Sequence, residues 1–415
     1  MFCPAAAPHT AKLPKAGPML LTQCAVCAAD LGLTLGKKCG RCSTRYCGPE
    51  CQVQHWKEGG HDKLCKTIKK AGGAEQYNAN KKYSEAISVA AEACAEDTKG
   101  QTCYICTQAL HWKTKEGLVR GCACRGTAGF VHLSCLAEQA KILVAEGLEN
   151  NLAFDERWAR WDKCGLCEQE YHGAVCGALG WACWKTYLGR PEGNKLRRAS
   201  MQVLGQSLYC DDQAKDALAV FEAELNTERR LTDFDSDDDD ALSLQCNIAD
   251  CYAKLERYGD AYFLRRKMYE KRLKKYGPMN AEVIADGLNV ALSLVKDYYF
   301  EEAKPFLRDL IPKAESVHGR KHSATLHLRQ LYAEAIYKHC DSNLDEQREG
   351  IATLQDVHRI ARQVFGSSHP NCKVAEEALA NARARLLAQA RLVEDASEKL
   401  AQGLRIDGDD ESDAP

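Results

Sequence analysis

The sequence predicts a mainly α-helical chain, with two small metal-stabilised modules in front and a stack of helix pairs behind. Two observations carry that reading. Sixteen cysteine and histidine residues in the first 170 positions are spaced as metal ligands, and the second half repeats with a step of 42 residues. The first ligand set is Cys24, Cys27, Cys39, Cys42, Cys47, Cys51, His61 and Cys65. The second is Cys103, Cys106, Cys122, Cys124, His132, Cys135, Cys164 and Cys167. A tetrahedral zinc ion takes four thiolate or imidazole donors, and a Cys-x2-Cys knuckle supplies two of them from one tight turn. Eight donors per set imply two ions per module and four in the chain.

Composition narrows the setting. A net charge of −2 over 415 residues gives no general attraction to nucleic acid or to an anionic membrane, so neither is expected as a partner. The start Met1-Phe2-Cys3-Pro4 has no charged segment followed by a long apolar core, unlike a secretory signal. Paired knuckles without an export signal favour zinc in a reducing compartment over disulfides. The expectation is a soluble cytoplasmic or nuclear protein. The longest apolar stretch, 173–184, is too short to span a bilayer.

Residues 1–20, rich in Ala, Pro and Lys, read as a disordered lead-in, and residues 21–68 as the first zinc module. Over 74–97, Tyr83, Ala86, Ile87, Ala90 and Ala91 recur at helical spacing and predict a linking helix. Residues 98–171 hold the second module, with a helix through Leu143 and Leu148 in the long gap before Cys164. Neither module has enough apolar residues for a core of its own. Metal binding, worth about 10–16 kcal/mol per structural site, is the expected source of folding energy.

From 178 to 395 the knuckles stop and apolar residues recur every three or four positions. Ala249, Ala291 and Ala333 are 42 apart, as are Asn247 and Asn289, Ala261 and Ala303, and Gly277 and Gly319. Gly205 and Ala217 precede Ala249 and Ala261 by 44, and an insertion near 340–350 lengthens the last step to 47, reaching Gly366 and Ala380. Units of this kind bury their faces only by stacking on their neighbours, which gives a solenoid. An acidic run, 233–240, interrupts the helices, and residues 405–415 read as an acidic disordered tail. The basic stretch from Arg265 to Lys275 is expected to be solvated helix surface.

Three resemblances add to this reading. Tyr46-Cys47-Gly48-Pro49-Glu50-Cys51-Gln52, followed by His55-Trp56-Lys57-Glu58-Gly59-Gly60-His61, resembles the MYND zinc finger. That family implies an interleaved pairing of Cys24, Cys27, Cys47 and Cys51 on one ion and Cys39, Cys42, His61 and Cys65 on the other. It also implies binding of short peptide segments, and it leaves His55 as a solvent-facing helix residue.

Cys122-x-Cys124 and the segment from Cys124 to His132 resemble the RING-CH zinc finger; a PHD finger keeps fewer residues before its histidine. The RING-CH cross-brace implies Cys103, Cys106, His132 and Cys135 on one ion and Cys122, Cys124, Cys164 and Cys167 on the other. The resemblance further implies a ubiquitin ligase that docks a ubiquitin-conjugating enzyme, with Ile105 and Trp161 (or Trp158) as docking residues. Glu168 follows the last ligand where a ubiquitin-clamping Arg or Lys would favour that activity.

Tyr258-Gly259-Asp260-Ala261 and Phe300-Glu301-Glu302-Ala303 within the 42-residue repeat resemble the tetratricopeptide repeats of kinesin light chains, over about 199–390. This implies peptide binding on a concave face, with Asn247 and Asn289 gripping the peptide backbone. The three modules in this order resemble multi-domain zinc proteins of unicellular algae and protists. The implied function is a soluble RING-CH-type ubiquitin ligase that recruits substrate peptides through its repeats and MYND finger. A non-enzymatic adaptor is the alternative.

Overall fold

A computed structural model describes residues 24–29, 31, 36–231, 239–365 and 370–406. The lead-in 1–20, most of the acidic run 233–240, Gly366 and the acidic tail from 407 onward lie outside the described residues. Fifteen α-helices and one two-stranded sheet occur among them. The chain divides into two compact units, Met1–Cys251 and Tyr252–Pro415.

The first unit begins with a hairpin. Strand β1 (Lys37–Lys38) pairs antiparallel with β2 (Arg45–Tyr46), Lys37 opposite Tyr46. Helix α1 (Pro49–Lys57) opens on proline, whose missing N–H is of no consequence in a first turn. Gly60, at φ 71°, turns the chain into α2 (His61–Lys70); this left-handed backbone suits glycine. The buried side chains here are few: Tyr46, Ile68 and Leu31 around four cysteines. The core closes only when Ala74 and Tyr77 of the next helix, α3 (Ala74–Ala93), pack against it. The Ala74 N–H donates to the Cys42 carbonyl at 2.9 Å, which fixes the start of α3 on the module.

The far end of α3 enters a second core. Ala90 is fully buried among Leu118, Val119, Phe130, Val131, Leu133 and Leu136. A bridge between Val119 and Val131 and helix α4 (Leu133–Glu149) frame this core. A short α5 (Phe154–Trp158) and a 3-10 turn at Ala159–Trp161 lead to the last knuckle. Helix α6 then starts at Gly173, earlier than the position near 178 where the sequence pattern turns helical, and runs to Tyr187. Its Val175, Ala178 and Leu179 belong to the same core. The sequence reading bounds the second module at 98–171 and looks to metal for what its apolar residues lack. In the fold that segment is inserted between α3 and α6, which pack on each other and add Ala90, Val175, Ala178 and Leu179 to its core.

Further contacts tie this frame together. The Lys185 Nζ lies 3.9 Å over the Tyr83 ring, and Gln76 Nε2 donates to the Lys185 carbonyl at 3.1 Å. Helix α6 next meets α7 (Lys195–Cys210), which pairs with α8 (Ala214–Leu231), and α9 (Asp239–Lys254) follows. The α6–α7 approach depends on Gly180, where an added Cβ would sit 1.9 Å from Ser207 Oγ and 2.7 Å from Ser207 Cβ.

The second unit contains α10 (Tyr258–Tyr276), α11 (Ala281–Lys296), α12 (Phe300–His318), α13 (Ser323–Lys338), α14 (Leu344–Phe365) and α15 (Pro370–Ile406). Helices α7, α9, α11, α13 and α15 begin at residues 195, 239, 281, 323 and 370. Their steps of 44, 42, 42 and 47 are those of the sequence repeat. Ala249, Ala291 and Ala333 are fully buried, and Gly277 and Gly319 end α10 and α12 at φ 77° and 85°. From α10 to α15 consecutive helices pack on one another, and α11, α13 and α15 also touch in turn, as in an α-solenoid.

Two residues of the basic stretch differ from the expected solvated surface. Arg265 and Arg272 are 5% and 8% exposed. Arg265 donates to Ser293 Oγ at 2.8 Å, and Arg272 makes a two-pronged pair with buried Asp286 at 2.9 and 3.0 Å. Their long side chains lie between α10 and α11 because the ions find partners there.

Gly180→Ala should lower the unfolding free energy by about 1–3 kcal/mol, since buried Ser207 is too short to swing aside. Gly189→Ala, at an exposed position with nothing near the added methyl, should leave it within about 0.5 kcal/mol. Thermal denaturation of the two variants checks this; equal melting temperatures would show that α6 and α7 do not approach so closely.

Candidate metal centres

Four groups of four donor atoms converge, each with all members within 4.8 Å of one another. They are Cys24, Cys27, Cys47 and Cys51; Cys39, Cys42, His61 and Cys65; Cys103, Cys106, His132 and Cys135; and Cys122, Cys124, Cys164 and Cys167. Both modules interleave their pairs along the chain, so neither site of a module forms without bringing the whole segment together.

The spacings fit zinc. Bonds of about 2.3 Å to sulfur and 2.0–2.1 Å to nitrogen, at tetrahedral angles, put sulfurs about 3.8 Å apart and sulfur about 3.5 Å from nitrogen. Cys39 and Cys65 sulfurs lie 3.9 Å apart, and Cys124 and Cys164 sulfurs 3.8 Å. Cys27–Cys47 and Cys47–Cys51 are each 3.5 Å. Cys42 Sγ is 3.4 Å from His61 Nε2, and His132 Nδ1 lies 3.3 Å from Cys106 Sγ and 3.7 Å from Cys135 Sγ.

Local backbone geometry prepares the donors. A knuckle turns its amide N–H groups onto its first sulfur: Ile105 and Cys106 donate to Cys103 Sγ at 3.4 and 3.5 Å, and Leu166 to Cys164 Sγ at 3.4 Å. Burial alone would raise the Cys24 thiol, but the Cys27, Cys47 and Val26 amides outweigh it and hold its pKa at about 6. The Gln169 amide does most to bring Cys167 down to about 7. At these two donors the shifts favour the thiolate, the ligating form, whereas neighbouring thiols and burial push Cys51 up to about 12 and Cys65 up to about 11.

Burial pushes His61 and His132 below the usual histidine range, towards the neutral imidazole that binds metal. His132 Nε2 lies 3.3 Å from the Ala109 carbonyl oxygen, which assigns its proton there and leaves the Nδ1 lone pair facing the cysteines. His61 Nδ1 has no such partner. The Cys39 group is wholly buried, whereas Cys27 and Cys47 of its neighbour are exposed.

Other expected site residues fare differently. His55 is half-buried rather than solvent-facing: its Nδ1 lies 3.0 Å from Tyr46 Oη and its ring 4.8 Å from that of His61. Ile105, in the first knuckle, is 37% exposed. Trp161 is 1% exposed and packs edge-on to Tyr187 at 5.9 Å, so it offers no docking surface; the 3-10 turn at Ala159–Trp161 points it into the core. Trp158 is half-buried, stacked on Phe154 at 5.3 Å.

Two residues were missed. Leu166, 52% exposed, holds in the last knuckle the place that Ile105 holds in the first, immediately before the second cysteine. That equivalence was visible in the sequence. Arg160 pairs with Glu168 at 2.9 Å and so brings a guanidinium beside the last ligand, where sequence order shows only an acid. Asn247 on α9 and Asn289 on α11 are both half-buried. No helix among the described residues is long and apolar enough to cross a membrane.

With this geometry in place, the chain is a tandem zinc-finger protein with an α-solenoid. Residues 24–65 match the MYND finger and residues 103–150 the RING-variant domain. None of the curated proteins matches. Among solved structures, a candidate kinesin light chain of Podosopora anserina with nearly identical TPR-like repeats is 17% identical, with a TM-score of 0.38, over 56% of this chain and 98% of its own. BtubC (BKLC) from P. vanneervenii is 12% identical, with a TM-score of 0.37, over 64% of this chain and 91% of its own. The repeat architecture itself is carried by this chain's helices.

His61→Ala should cost one equivalent of zinc relative to the unaltered protein, because it removes a donor, whereas His55→Ala should keep the full complement. Elemental analysis of the purified variants decides between these roles. Equal losses from both would place His55 in the metal shell.

Proposed function

We propose that the protein holds four zinc ions, one per donor group, and acts as a RING-type ubiquitin ligase. Ile105 and Leu166 would dock the ubiquitin-conjugating enzyme, in place of the Ile105 and Trp161 pair that the sequence implies. The observation that carries this reading is the pair of exposed aliphatic side chains at equivalent places in the first and last knuckles of a segment matching the RING-variant domain. The chain would supply no nucleophile. Holding the conjugating enzyme's thioester and an acceptor lysine in a reactive arrangement supplies the rate gain. The MYND finger and the helical repeats, Asn247 and Asn289 included, would hold peptide segments of substrates. The described cysteines form no disulfide and fourteen of them stand in the donor groups, which fits work in the reducing cytoplasm or nucleus.

The second reading, a non-enzymatic adaptor, is favoured by Glu168, which neutralises the only guanidinium described beside the last ligand. Autoubiquitination with a panel of conjugating enzymes separates the two. Wild-type protein should transfer ubiquitin. Ile105→Ala or Leu166→Ala should each reduce transfer more than tenfold, about 2 kcal/mol for an interface anchor, with zinc content unchanged. Absence of transfer with every conjugating enzyme would establish the adaptor. Full activity in both variants would remove the knuckle tips from the docking surface.

A further inference from the structure

A cleft of about 710 Å³ opens between α3, the 111–114 loop, α4 and α6, and none of the sixteen metal donors lines it. Its volume lies in the range of built ligand sites and exceeds what one side chain fills. The charges around it are unequal. Glu116, 8% exposed, is already engaged: its carboxylate accepts from Ser134 N–H at 2.7 Å, Ser134 Oγ at 2.8 Å and Thr114 Oγ1 at 3.0 Å. Glu138 is held by Lys141 at 3.2 Å.

Lys185 and Lys113 have no carboxylate within ion-pair distance among the described residues. Lys185 is half-buried, with its ammonium over the Tyr83 ring. Burial holds it below the usual lysine range even against the opposing pull of Glu116. At the rim stands Trp112, 68% exposed, the most exposed large apolar side chain of this module. A half-buried cation lacking its counter-ion gains most from an incoming anion, and an indole face beside it favours an apolar neighbour of that anion.

We propose that this cleft takes an acidic peptide segment of a partner protein, with a carboxylate on Lys185 and Lys113 and an adjacent aliphatic side chain on Trp112. The site shares no residue with the knuckle tips Ile105 and Leu166 or with Asn247 and Asn289, and it does not depend on ligase activity. Lysines act here as point charges rather than as planar forks, which suits a single carboxylate reached from several directions.

The test uses the full zinc-loaded chain and a short labelled peptide alternating Glu and Leu, followed by fluorescence anisotropy at low salt. The peptide should bind. Lys185→Gln and Trp112→Ala should each weaken binding about tenfold or more, while Lys321→Gln, an exposed lysine in the turn between α12 and α13, leaves it unchanged. Added salt should weaken binding, as expected for partly exposed charges. Trp112 and Lys113 are exposed, so Trp112→Ala and Lys113→Gln give a reading even if Lys185→Gln fails to fold. The proposal is overturned if wild-type protein does not bind the peptide, or if the Trp112 and Lys113 variants bind like wild type. It is equally overturned if a labelled RNA displaces the peptide with the same dependence on Lys113.

Discussion

Both zinc modules close their cores on one helix. Helix α3 is 20 residues long, about 30 Å at the usual rise per residue. Ala74 and Tyr77 at one end complete the first module, and Ala90 at the other completes the second. An isolated helix of this length is marginal in water, and most helical stability in proteins comes from packing. The packing available to α3 is two metal-built cores and helix α6. Anything that binds the folded state alone stabilises all that folds with it. Metal in either module therefore supports α3, and through α3 it supports the other module.

That constraint divides the chain into regions stabilised by different means. In the second unit, buried Ile284, Leu294, Leu307, Leu328 and Leu331 form a continuous apolar core between helices, as ordinary packing requires. In the zinc modules, thiolates occupy places that such side chains would otherwise fill. Loss of metal should therefore be felt in the first unit and spare the second, whose helices bury enough apolar surface to hold themselves. The same division separates the surfaces proposed for docking and for peptide binding. Ile105 and Leu166 sit on knuckles whose shape depends on metal, while the repeats present their surfaces independently of it.

Much of this was legible in the sequence because it rests on spacing. Knuckle intervals and the 42-residue step survive in one dimension: they mark the sixteen donors and the spacing of the starts of α9, α11 and α13, while the pairing of the donors into four groups came from what the family resemblances imply. What escaped was side-chain direction and contact between distant segments. Trp161 looked like a docking residue because an aromatic stands before the last knuckle, but the turn at Ala159–Trp161 buries it. Arg160 reaches Glu168 across eight positions, which no local pattern reveals. Arg265 and Arg272 read as surface because their partners, Ser293 and Asp286, come from the following helix. The insertion of the second module between α3 and α6 was hidden for the same reason. Its evidence lies in small residues such as Gly121, where an added Cβ would strike Val175 at 2.4 Å.

Hydrogen exchange on a Cys164→Ser variant tests the shared-helix account most directly. Removing that donor should open the second module's last site. The amides in the C-terminal half of α3 and the first half of α6 should then lose protection by about tenfold or more, as parts of one cooperative unit, while α11 to α13 exchange as in the unaltered protein. Unchanged protection along α3 and α6, with faster exchange confined to residues 98–171, would contradict the account and show the second module to be a self-contained fold.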